Sequence, residues 1–402
     1  MENRLNHARL AENLEEMGRV GVEKGGLRNR LALSDADREA RDLLCGWIRG
    51  AGLDLKIDEI GNIWGVLPGT ESGDPVTMGS HIDTVRDAGM FDGCVGVLSA
   101  LECLRTVAER RIPHKKPLAL VAFTNEEGAR FHPDMMGSLV AAGRAAVEEM
   151  YGSADDDGRT VGGELERIGY KGSDRVRPSF YLEYHIEQGP FLDQQKLPFA
   201  VVTGIPGISW WSVRYVGEAN HAGSTPMNMR RDALLALSKL HCRMTEVAVQ
   251  KDACLTIGRV HLQPDVTNII PGAVDFTVDM RCPEQKTFEW LKEALKRTMR
   301  EIADDCGISL EWRQTVNGDA VAFAPEMVNL VERCLRARGF QAPRLCSGAC
   351  HDAQMMNGLV PTAMLFVASR DGKSHCPQEF SDMKQICDGA EVMLDCLLEL
   401  AR

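Results

Sequence analysis

Residues 117–128, with the sequence PLALVAFTNEEG, combine a near-continuous apolar run with two adjacent glutamates. A short apolar run without alternation is typical of a strand that is buried on both faces of a parallel sheet. Apolar patterns predict further strands at residues 76–79, 180–184 and 362–368, and helices at residues 35–51 and from Asp92-Gly93 to about residue 109. Strands that alternate with helices predict an α/β domain with a mainly parallel central sheet flanked by helices.

The middle of the chain has a different pattern. Strands are predicted at residues 208–217, 255–262, 273–281 and 310–316, with helices at residues 230–250 and 283–306. The third of these strands alternates cleanly, which is typical of a strand with one exposed face. The pattern predicts a smaller α/β domain, residues 208–322, inserted into a catalytic domain of residues 1–207 and 323–402. The junctions at residues 205–207 and 317–324 are predicted hinges.

Composition restricts the class of protein. A chain of 402 residues is long enough for two or three domains. The net charge of −12 argues against a nucleic-acid partner, because binding to phosphates relies on clustered Lys and Arg. No apolar stretch is long enough to predict a transmembrane helix, so no membrane partner is expected. The N-terminal residues lack the pattern of a signal peptide. Thirteen scattered Cys without a Cys-x-x-Cys pair favour reduced thiols in a cytoplasmic protein.

Side chains that can bind metals follow the predicted strands. A lone His is more often structural, and adjacent glutamates are usually solvated, but ligands bind where the carboxyl ends of parallel strands meet. Imidazole and carboxylate favour Zn, Mn, Co or Ni. One carboxylate can bridge two ions, and a second that binds no metal can move a proton. We therefore predict a two-metal hydrolytic site, built from His81, Asp92, the Glu126-Glu127 pair, His185 and His375.

The same residues carry a family resemblance. The segments 81–85 (HIDTV), 91–93 (FDG), 125–128 (NEEG) and 185–189 (HIEQG) resemble the metal motifs of the M20-type metallohydrolases. More narrowly, the chain resembles the branch of N-carbamoyl-L-amino-acid amidohydrolases, allantoate amidohydrolases and β-ureidopropionases. Residues 220–227, 268–272 and 347–353 fit this branch. His185 stands where peptidase relatives usually have a carboxylate.

The resemblance implies a role for each metal-site residue. Two divalent ions per chain are expected, with Zn, Mn, Co and Ni left open as the native metal. One ion would be bound by His81, Asp92 and His185, and the other by Asp92, Glu127 and His375. Asp92 would bridge the two ions, and Glu126 would act first as general base and then as general acid.

The resemblance also implies substrate-binding residues. Gln188 and Gly348 would contact the substrate near the metals. The inserted domain would act as a lid and as the module of a homodimer, so that His221 and Asn268 complete the pocket of the neighbouring subunit. His221 would stabilise the oxyanion, and Asn268 with Arg281 would hold the substrate carboxylate, which an Arg fork matches bidentately. For Arg281 the alternative is an ordinary exposed strand residue.

The predicted function is therefore that of a cytoplasmic dinuclear-metal amidohydrolase. It would cleave the carbamoyl C–N bond of an N-carbamoyl-L-amino acid or a related ureido acid. One alternative is an M20 aminoacylase or dipeptidase that cleaves an acyl-amide. Another is a metal-binding scaffold without catalysis, which is disfavoured because Glu126 has no use in merely holding metal. Cys350 and Cys376 replace the Gly and the Asn or Ser that are usual in the family, and a catalytic thiol is disfavoured because no activating partner is evident by spacing.

Overall fold

The computed structural model describes residues 4–402. Residues 1–3 lie outside the described residues. They begin the N-terminal segment for which the sequence analysis predicts no signal peptide. The chain divides into two units. Unit 1 consists of the described residues up to Thr203 together with Phe323–Arg402, and unit 2 is the continuous segment Gly204–Ala322.

The strands, in chain order, are β1 (Asp54–Ile57), β2 (Ile63–Leu67), β3 (Val76–His81), β4 (Leu118–Phe123), β5 (Phe180–Ile186), β6 (Phe199–Ile205), β7 (Gly207–Val216), β8 (Cys254–Gln263), β9 (Ala273–Cys282), β10 (Ser309–Gly318), β11 (Val321–Ala322), β12 (Arg344–Cys346) and β13 (Thr362–Val367). The helices are α1 (His7–Arg19), α2 (Asp35–Gly50), α3 (Cys94–Arg110), α4 (Met136–Ala141), α5 (Val147–Tyr151), α6 (Val161–Ile168), α7 (Phe191–Gln195), α8 (Ala233–Gln250), α9 (Gln285–Cys306), α10 (Pro325–Ala337), α11 (Asp352–Met356) and α12 (Met383–Leu400).

The large sheet has a parallel centre. Its strand order is β1-β2-β4-β3-β5-β13-β6-β11, with β12 paired to β6. The neighbours β4, β3, β5 and β13 run parallel, whereas the strands at both edges pair antiparallel. Every residue of β4 is buried, as the apolar run at residues 117–124 predicts, and so is every residue of β3. The predicted mixed α/β fold with a mainly parallel central sheet is thus confirmed.

Helix α3 packs against the central strands, and its first turn lies at their carboxyl ends. It is buried from Cys94 to Val107 and packs against β3, β4 and β5. Gly96 permits this close approach, because a Cβ there would lie 2.6 Å from the backbone oxygen of Tyr184. The first turn of the helix therefore stands beside the strand ends that carry the predicted ligands.

Unit 2 contains a separate four-stranded antiparallel sheet with the order β10-β7-β9-β8. Helices α8 and α9 pack on one face of it, around a core that includes Trp211, Phe276 and Phe288. On β9, buried residues alternate with partly exposed ones, so the second face of the sheet carries polar side chains such as Asp279 and Arg281. This matches the alternation that predicts a half-exposed strand.

The predicted helix at residues 230–250 begins three residues late. Asp232 is extended and its carboxylate accepts the backbone N–H groups of Leu234 and Leu235, so α8 starts at Ala233. Such a side-chain cap satisfies N–H groups that have no partner within the helix. The predicted helix at residues 283–306 likewise starts at Gln285, capped by Glu284, and ends before the left-handed Gly307. Among the described residues no helix is long and apolar enough to cross a membrane.

Candidate metal centre

The predicted ligands of unit 1 converge at the carboxyl ends of the parallel strands. His81 is the last residue of β3, His185 lies near the end of β5, and His375 is in the loop that follows β13. Glu126 and Glu127 come shortly after β4, and Asp92 immediately precedes α3. The chain order of these residues is scattered, so the parallel sheet is what brings them to one place.

Asp92 lies at the middle of the cluster, and its two carboxylate oxygens face different partners. Oδ1 is 3.1 Å from Nε2 of His185 and 3.5 Å from Nε2 of His81. Oδ2 is 3.2 Å from Nε2 of His375, which in turn is 3.3 Å from Oε2 of Glu127. One carboxylate therefore belongs to two separate ligand groups.

The buried imidazoles are oriented by their other ring nitrogen. Nδ1 of His81 is 3.0 Å from the backbone oxygen of Asp83, and Nδ1 of His185 is 2.9 Å from that of Ile186. A carbonyl oxygen only accepts hydrogen bonds, so in each neutral ring the proton lies on Nδ1 and the lone pair of Nε2 is available to a cation. Metal-binding histidines are commonly oriented in this way.

The loop after β4 holds the two glutamates in different places. The Asp83 carboxylate accepts the backbone N–H groups of Glu126 and Glu127, each at 3.3 Å. Asn125 adopts a positive φ of 54°, a conformation that Asn tolerates better than most residues, and this turns the chain directly after the strand. Glu126 Oε2 then lies 3.5 Å from Nε2 of His81, whereas Glu127 faces His375.

Asp92 is held in position by hydrogen bonds with residues to which the sequence analysis assigned no role. Oε1 of the buried Glu379 accepts the backbone N–H groups of Phe91 and Asp92, at 2.8 and 3.2 Å. Ser374 Oγ lies 2.8 Å from Asp92 Oδ2 and 2.9 Å from Glu379 Oε2. Gly93 allows Asp92 to come this close to His81, because a Cβ there would lie 2.6 Å from the imidazole.

The shifted pKa values of the cluster indicate a site that requires positive charge to compensate its carboxylates. Burial alone would raise the pKa of Asp92, but hydrogen bonds from the imidazoles, that of His185 foremost, hold the pKa well below its usual range. Burial raises the pKa of Glu126 well above its usual range and that of Glu127 to about 8. The hydrogen bond with Asp92 raises the pKa of His375 to about 9. In the absence of a cation, bound protons provide the compensating charge.

The donor set fits divalent metal. Two groups of ligand atoms, each within 4.8 Å of one another, are His81 with Asp92 and His185, and Asp92 with Glu127 and His375. Oε1 of Glu127 is buried without a hydrogen-bond partner among the described residues, which leaves an acceptor for a cation. Nitrogen and carboxylate ligands suit borderline divalent ions. These two groups are the combinations that the sequence predicts, and among the described residues a further group joins His81 to Glu126 and Glu127.

A second layer of polar side chains lies beside this cluster and was missed by sequence reasoning. Glu183, His185 and His351 form a further group of converging ligand atoms. Glu183 accepts hydrogen bonds from Ser80 Oγ and from the backbone N–H of Ala353, both at 2.8 Å. The signal for Glu183 was its position two residues before His185, which puts both on one face of β5. The ring of His351 meets that of His185 edge to face, with centroids 4.5 Å apart.

The substrate-binding residues predicted in unit 1 lie in two loops. Gln188 Nε2 donates to Asp92 Oδ2 at 2.7 Å and lies 3.4 Å from His375 Nε2, so this side chain stands beside the metal ligands. Gly348 follows β12 and is exposed. The next residue, Ala349, donates its backbone N–H to Ser347 Oγ, which also contacts Nε2 of His351 at 3.0 Å.

The remaining predicted residues belong to unit 2. His221 and Asn268 are neighbours, because His221 bridges Ile269 antiparallel and Ala222 donates its N–H to the backbone oxygen of Asn268 at 3.0 Å. Arg281 lies on the polar face of the sheet, directly across from Cys254 of β8. Its Nε and Nη2 each donate to an oxygen of Asp279 at 3.2 Å.

Comparison with known proteins indicates the family of the chain. Residues 77–399 match the model of peptidase family M20/M25/M40. The chain is 37% identical over 404 residues to an N-carbamoyl-L-amino-acid amidohydrolase of Rhizobium meliloti, covering 99% of this chain and 97% of the relative. It is 31% identical over 403 residues to an allantoate amidohydrolase of Bacillus subtilis, covering 98% and 97%.

Solved structures show the same likeness. A hydantoinase/carbamoylase family amidase from Burkholderia multivorans superposes with a TM-score of 0.94 at 37% identity, covering 99% of this chain and 98% of that one. The predicted resemblance to the hydantoinase/carbamoylase branch is confirmed, and so is the prediction of a hydrolase of the amidohydrolase type. With its fold, its converging ligands and these relatives in agreement, the chain belongs to peptidase family M20/M25/M40.

Proposed function

We propose that this protein hydrolyses the carbamoyl or ureido C–N bond of an N-carbamoyl-L-amino acid or an allantoate-type ureido acid, using two divalent ions per chain. The proposal rests on the carboxylate of Asp92, whose two oxygens face two separate ligand groups. A single carboxylate shared in this way suits a pair of ions a few ångström apart. The named activities of full-length relatives support the substrate class.

The two ions are assigned to the ligand groups described above. His81, Asp92 and His185 hold one ion, and Asp92, Glu127 and His375 hold the other. When bound, the ions supply positive charge that lowers the pKa of a water molecule and polarises the substrate carbonyl. The side chains fix the geometry of the site, and Gln188 orients the substrate beside Asp92.

Glu126 is the proton carrier in this proposal. It is buried, it directly precedes the ligand Glu127, and its Oε2 lies 3.5 Å from Nε2 of His81. Its pKa, raised by burial, suits a group that takes a proton from the attacking water and later gives it to the leaving nitrogen. The products would be ammonia, carbon dioxide and an amino acid.

In this proposal unit 2 would supply the remaining substrate contacts. We assign His221 to the developing oxyanion and Asn268 with Arg281 to the substrate carboxylate, while Gly348 contributes from unit 1. Unit 2 would act as a lid that hinges near residues 205–207 and 317–324, and as the module of a homodimer. Closure over the substrate would exclude water and strengthen each polar contact.

A complementation experiment tests the shared site. Chains carrying His221→Ala and chains carrying Glu126→Gln are each expected to keep only a small residual activity, since each lacks one essential group. Mixed dimers should recover partial activity if His221 serves the neighbouring subunit's metals. A verified mixed dimer without any recovery would instead indicate a site built within one chain.

The function itself is tested on a small substrate panel. The chain is stripped with a chelator, reloaded separately with Mn, Zn, Co or Ni, and assayed for ammonia release from N-carbamoyl-L-amino acids, allantoate and β-ureidopropionate, and for cleavage of N-acyl amino acids and dipeptides. We expect ureido substrates to be preferred, with close to two ions per active chain by elemental analysis. Cleavage of acyl-amides alone would identify an aminoacylase or dipeptidase, and a folded, metal-loaded but inert chain would identify a scaffold.

We also propose that the enzyme is cytoplasmic. Free thiols among the described residues include those of the exposed Cys242 and Cys254, which suits a reducing compartment. Fractionation of the source cells, with the enzyme followed by its ammonia release, checks this localisation.

A further inference from the structure

The ring of His221 is held by its own loop. The backbone N–H groups of Gly223 and Ser224 both donate to Nδ1, at 3.0 and 3.1 Å. Since both hydrogens point to Nδ1, that nitrogen acts as an acceptor and the proton of the neutral ring lies on Nε2. None of the hydrogen bonds among the described residues uses Nε2, so this N–H is available as a donor.

The loop that provides these donors is not held by apolar packing. None of residues 220–229 is buried. Polar contacts must therefore fix its shape, and two of them involve His221 itself. Its backbone N–H donates to Asn220 Oδ1 at 2.8 Å, and its backbone oxygen accepts from Thr225 Oγ at 2.8 Å.

Besides the backbone contacts of His221 and Ala222 with residues 268–269, the loop has a side-chain contact from Arg230. Its Nη2 donates to the backbone oxygen of Ala222 at 2.5 Å, and its Nε donates to the backbone oxygen of Thr225 at 3.1 Å. The guanidinium thereby joins both ends of the segment whose central N–H groups hold His221. Arg230 can do this because it lies outside α8, in extended conformation.

We propose that Arg230 is a positioning residue: it closes the 222–225 loop so that Gly223 and Ser224 hold the His221 ring with its Nε2–H as the outward donor. The inference rests on the proposed function for the role of His221 at the oxyanion. It adds that His221 acts there as a fixed hydrogen-bond donor. A preoriented donor costs no reorganisation at the moment when charge develops on the substrate oxygen.

Three variants of the full, metal-loaded chain test the proposal. Arg230→Gln removes both contacts and Arg230→Lys keeps the charge but can reach only one carbonyl at a time. Arg231→Gln is the matched control, because Arg231 is the adjacent, exposed Arg and no side-chain hydrogen bond of it is found among the described residues. Hydrogen–deuterium exchange of a peptide spanning residues 220–226 should become faster in Arg230→Gln, partly faster in Arg230→Lys, and remain unchanged in the control.

The kinetic signature is specific to a positioning role. We expect Arg230→Gln to lower kcat by roughly ten- to a hundredfold while KM changes little, because an oxyanion contact forms in the transition state. The double variant Arg230→Gln with His221→Ala should be no slower than His221→Ala alone, since Arg230 acts through His221. Additive losses, or a matching loss in Arg231→Gln, would overturn the proposal.

The ring nitrogens are read directly by NMR of chain labelled with ¹⁵N-histidine, with the His221 signal assigned by its disappearance in His221→Gln. In the neutral ring a protonated Nε2 and an unprotonated Nδ1 are expected, and a neutral ring with its proton on Nδ1 would overturn the proposal. This measurement and the exchange experiment need no substrate. If the native enzyme cleaved no ureido acid, the proposed function would fail while these two results still decided the role of Arg230.

Discussion

The predicted site residues of the two units are held in contrasting ways. In unit 1, His81, Asp92 and His185 are 1%, 4% and 1% exposed and contact one another. His375, which lies in a loop and contacts Asp92, is the exception, with 47% of its side chain exposed. In unit 2, His221 is exposed on a loop, and the Arg281 side chain is 35% exposed on the open face of a sheet. Each of these two is oriented by a residue or a loop of its own neighbourhood rather than by the other.

The difference indicates a division of labour. Buried, mutually coupled ligands suit a permanent metal centre, since a misplaced ligand would leave an uncompensated charge in the interior. Exposed groups with local orientation suit contacts that form only when a substrate arrives. Loss of a unit 1 ligand should therefore remove metal, whereas loss of a unit 2 residue should leave the metal and weaken substrate or transition-state binding.

The strongest test of this contrast is Asp92→Ala. The change removes a ligand from both ions and leaves the facing imidazoles with no carboxylate between them. We expect metal content to fall toward zero and ammonia release to drop by roughly a thousandfold or more. Elemental analysis and ammonia release on the same sample measure both, with Glu12→Ala, an exposed carboxylate of α1, as control. Full activity of the native enzyme with only one ion per chain would contradict the dinuclear arrangement.

The two adjacent glutamates sharpen the contrast within unit 1. Glu126→Gln should retain metal and substrate affinity while kcat falls by about a hundredfold or more, as expected for a lost general base. Glu127→Gln should instead lower metal occupancy, because it removes a ligand beside His375. Each variant serves as the control for the other, with metal content and kcat measured in parallel. Equal loss of metal in both would show that the roles are assigned wrongly.

The structure brings the predicted ligands together for a physical reason. The ligands sit where buried strands end, and a fully apolar strand such as residues 118–123 leaves a clear pattern. Glu379 left no such pattern, because its function depends on accepting the N–H groups of residues almost 300 positions earlier. Long-range pairs of this kind are set by tertiary packing, which periodicity along the chain does not report.

The start of α8 teaches the same lesson at short range. Apolar spacing extends the predicted helix back to Arg230, but the carboxylate of Asp232 caps the helix and Arg230 turns to the carbonyls of the 222–225 loop. A local cap and a competing side-chain contact thus outweigh periodicity. The same departure from the predicted pattern is what places Arg230 beside the His221 loop.

Unit 2 is tested by Arg281, whose alternative is a structural role in pairing with Asp279. If the substrate carries a free carboxylate, Arg281→Lys should raise KM by roughly ten- to a hundredfold, because an ammonium keeps the charge but loses the fork. An amide analogue of the substrate should be poor for the native enzyme and almost insensitive to the change. Metal content should remain at the native level, in contrast to the unit 1 variants.

The chain offers a matched control for this experiment. Arg214 pairs with Asp275 at 3.2 Å on the same sheet, with a side chain 38% exposed, so it resembles Arg281 in environment but has no assigned substrate contact. Arg214→Lys should therefore leave KM unchanged. Equal losses on the acid and its amide in Arg281→Lys would show that Arg281 supports structure only.

The smallest expected effect is the pH dependence of metal binding in unit 1. In the metal-free protein the pKa of Glu127 is about 8 and that of His375 about 9, so both groups carry protons at neutral pH. A metal ion binds only their deprotonated forms and must displace those protons. Affinity for the second ion should therefore rise as the pH increases from 6.5 toward 8, by about tenfold per pH unit for each proton released. Titration calorimetry with Mn²⁺ in two buffers of different ionisation enthalpy measures the number of protons directly, and Glu127→Gln should release fewer. An affinity that is constant over this range would show that the ion is bound elsewhere than between Glu127 and His375.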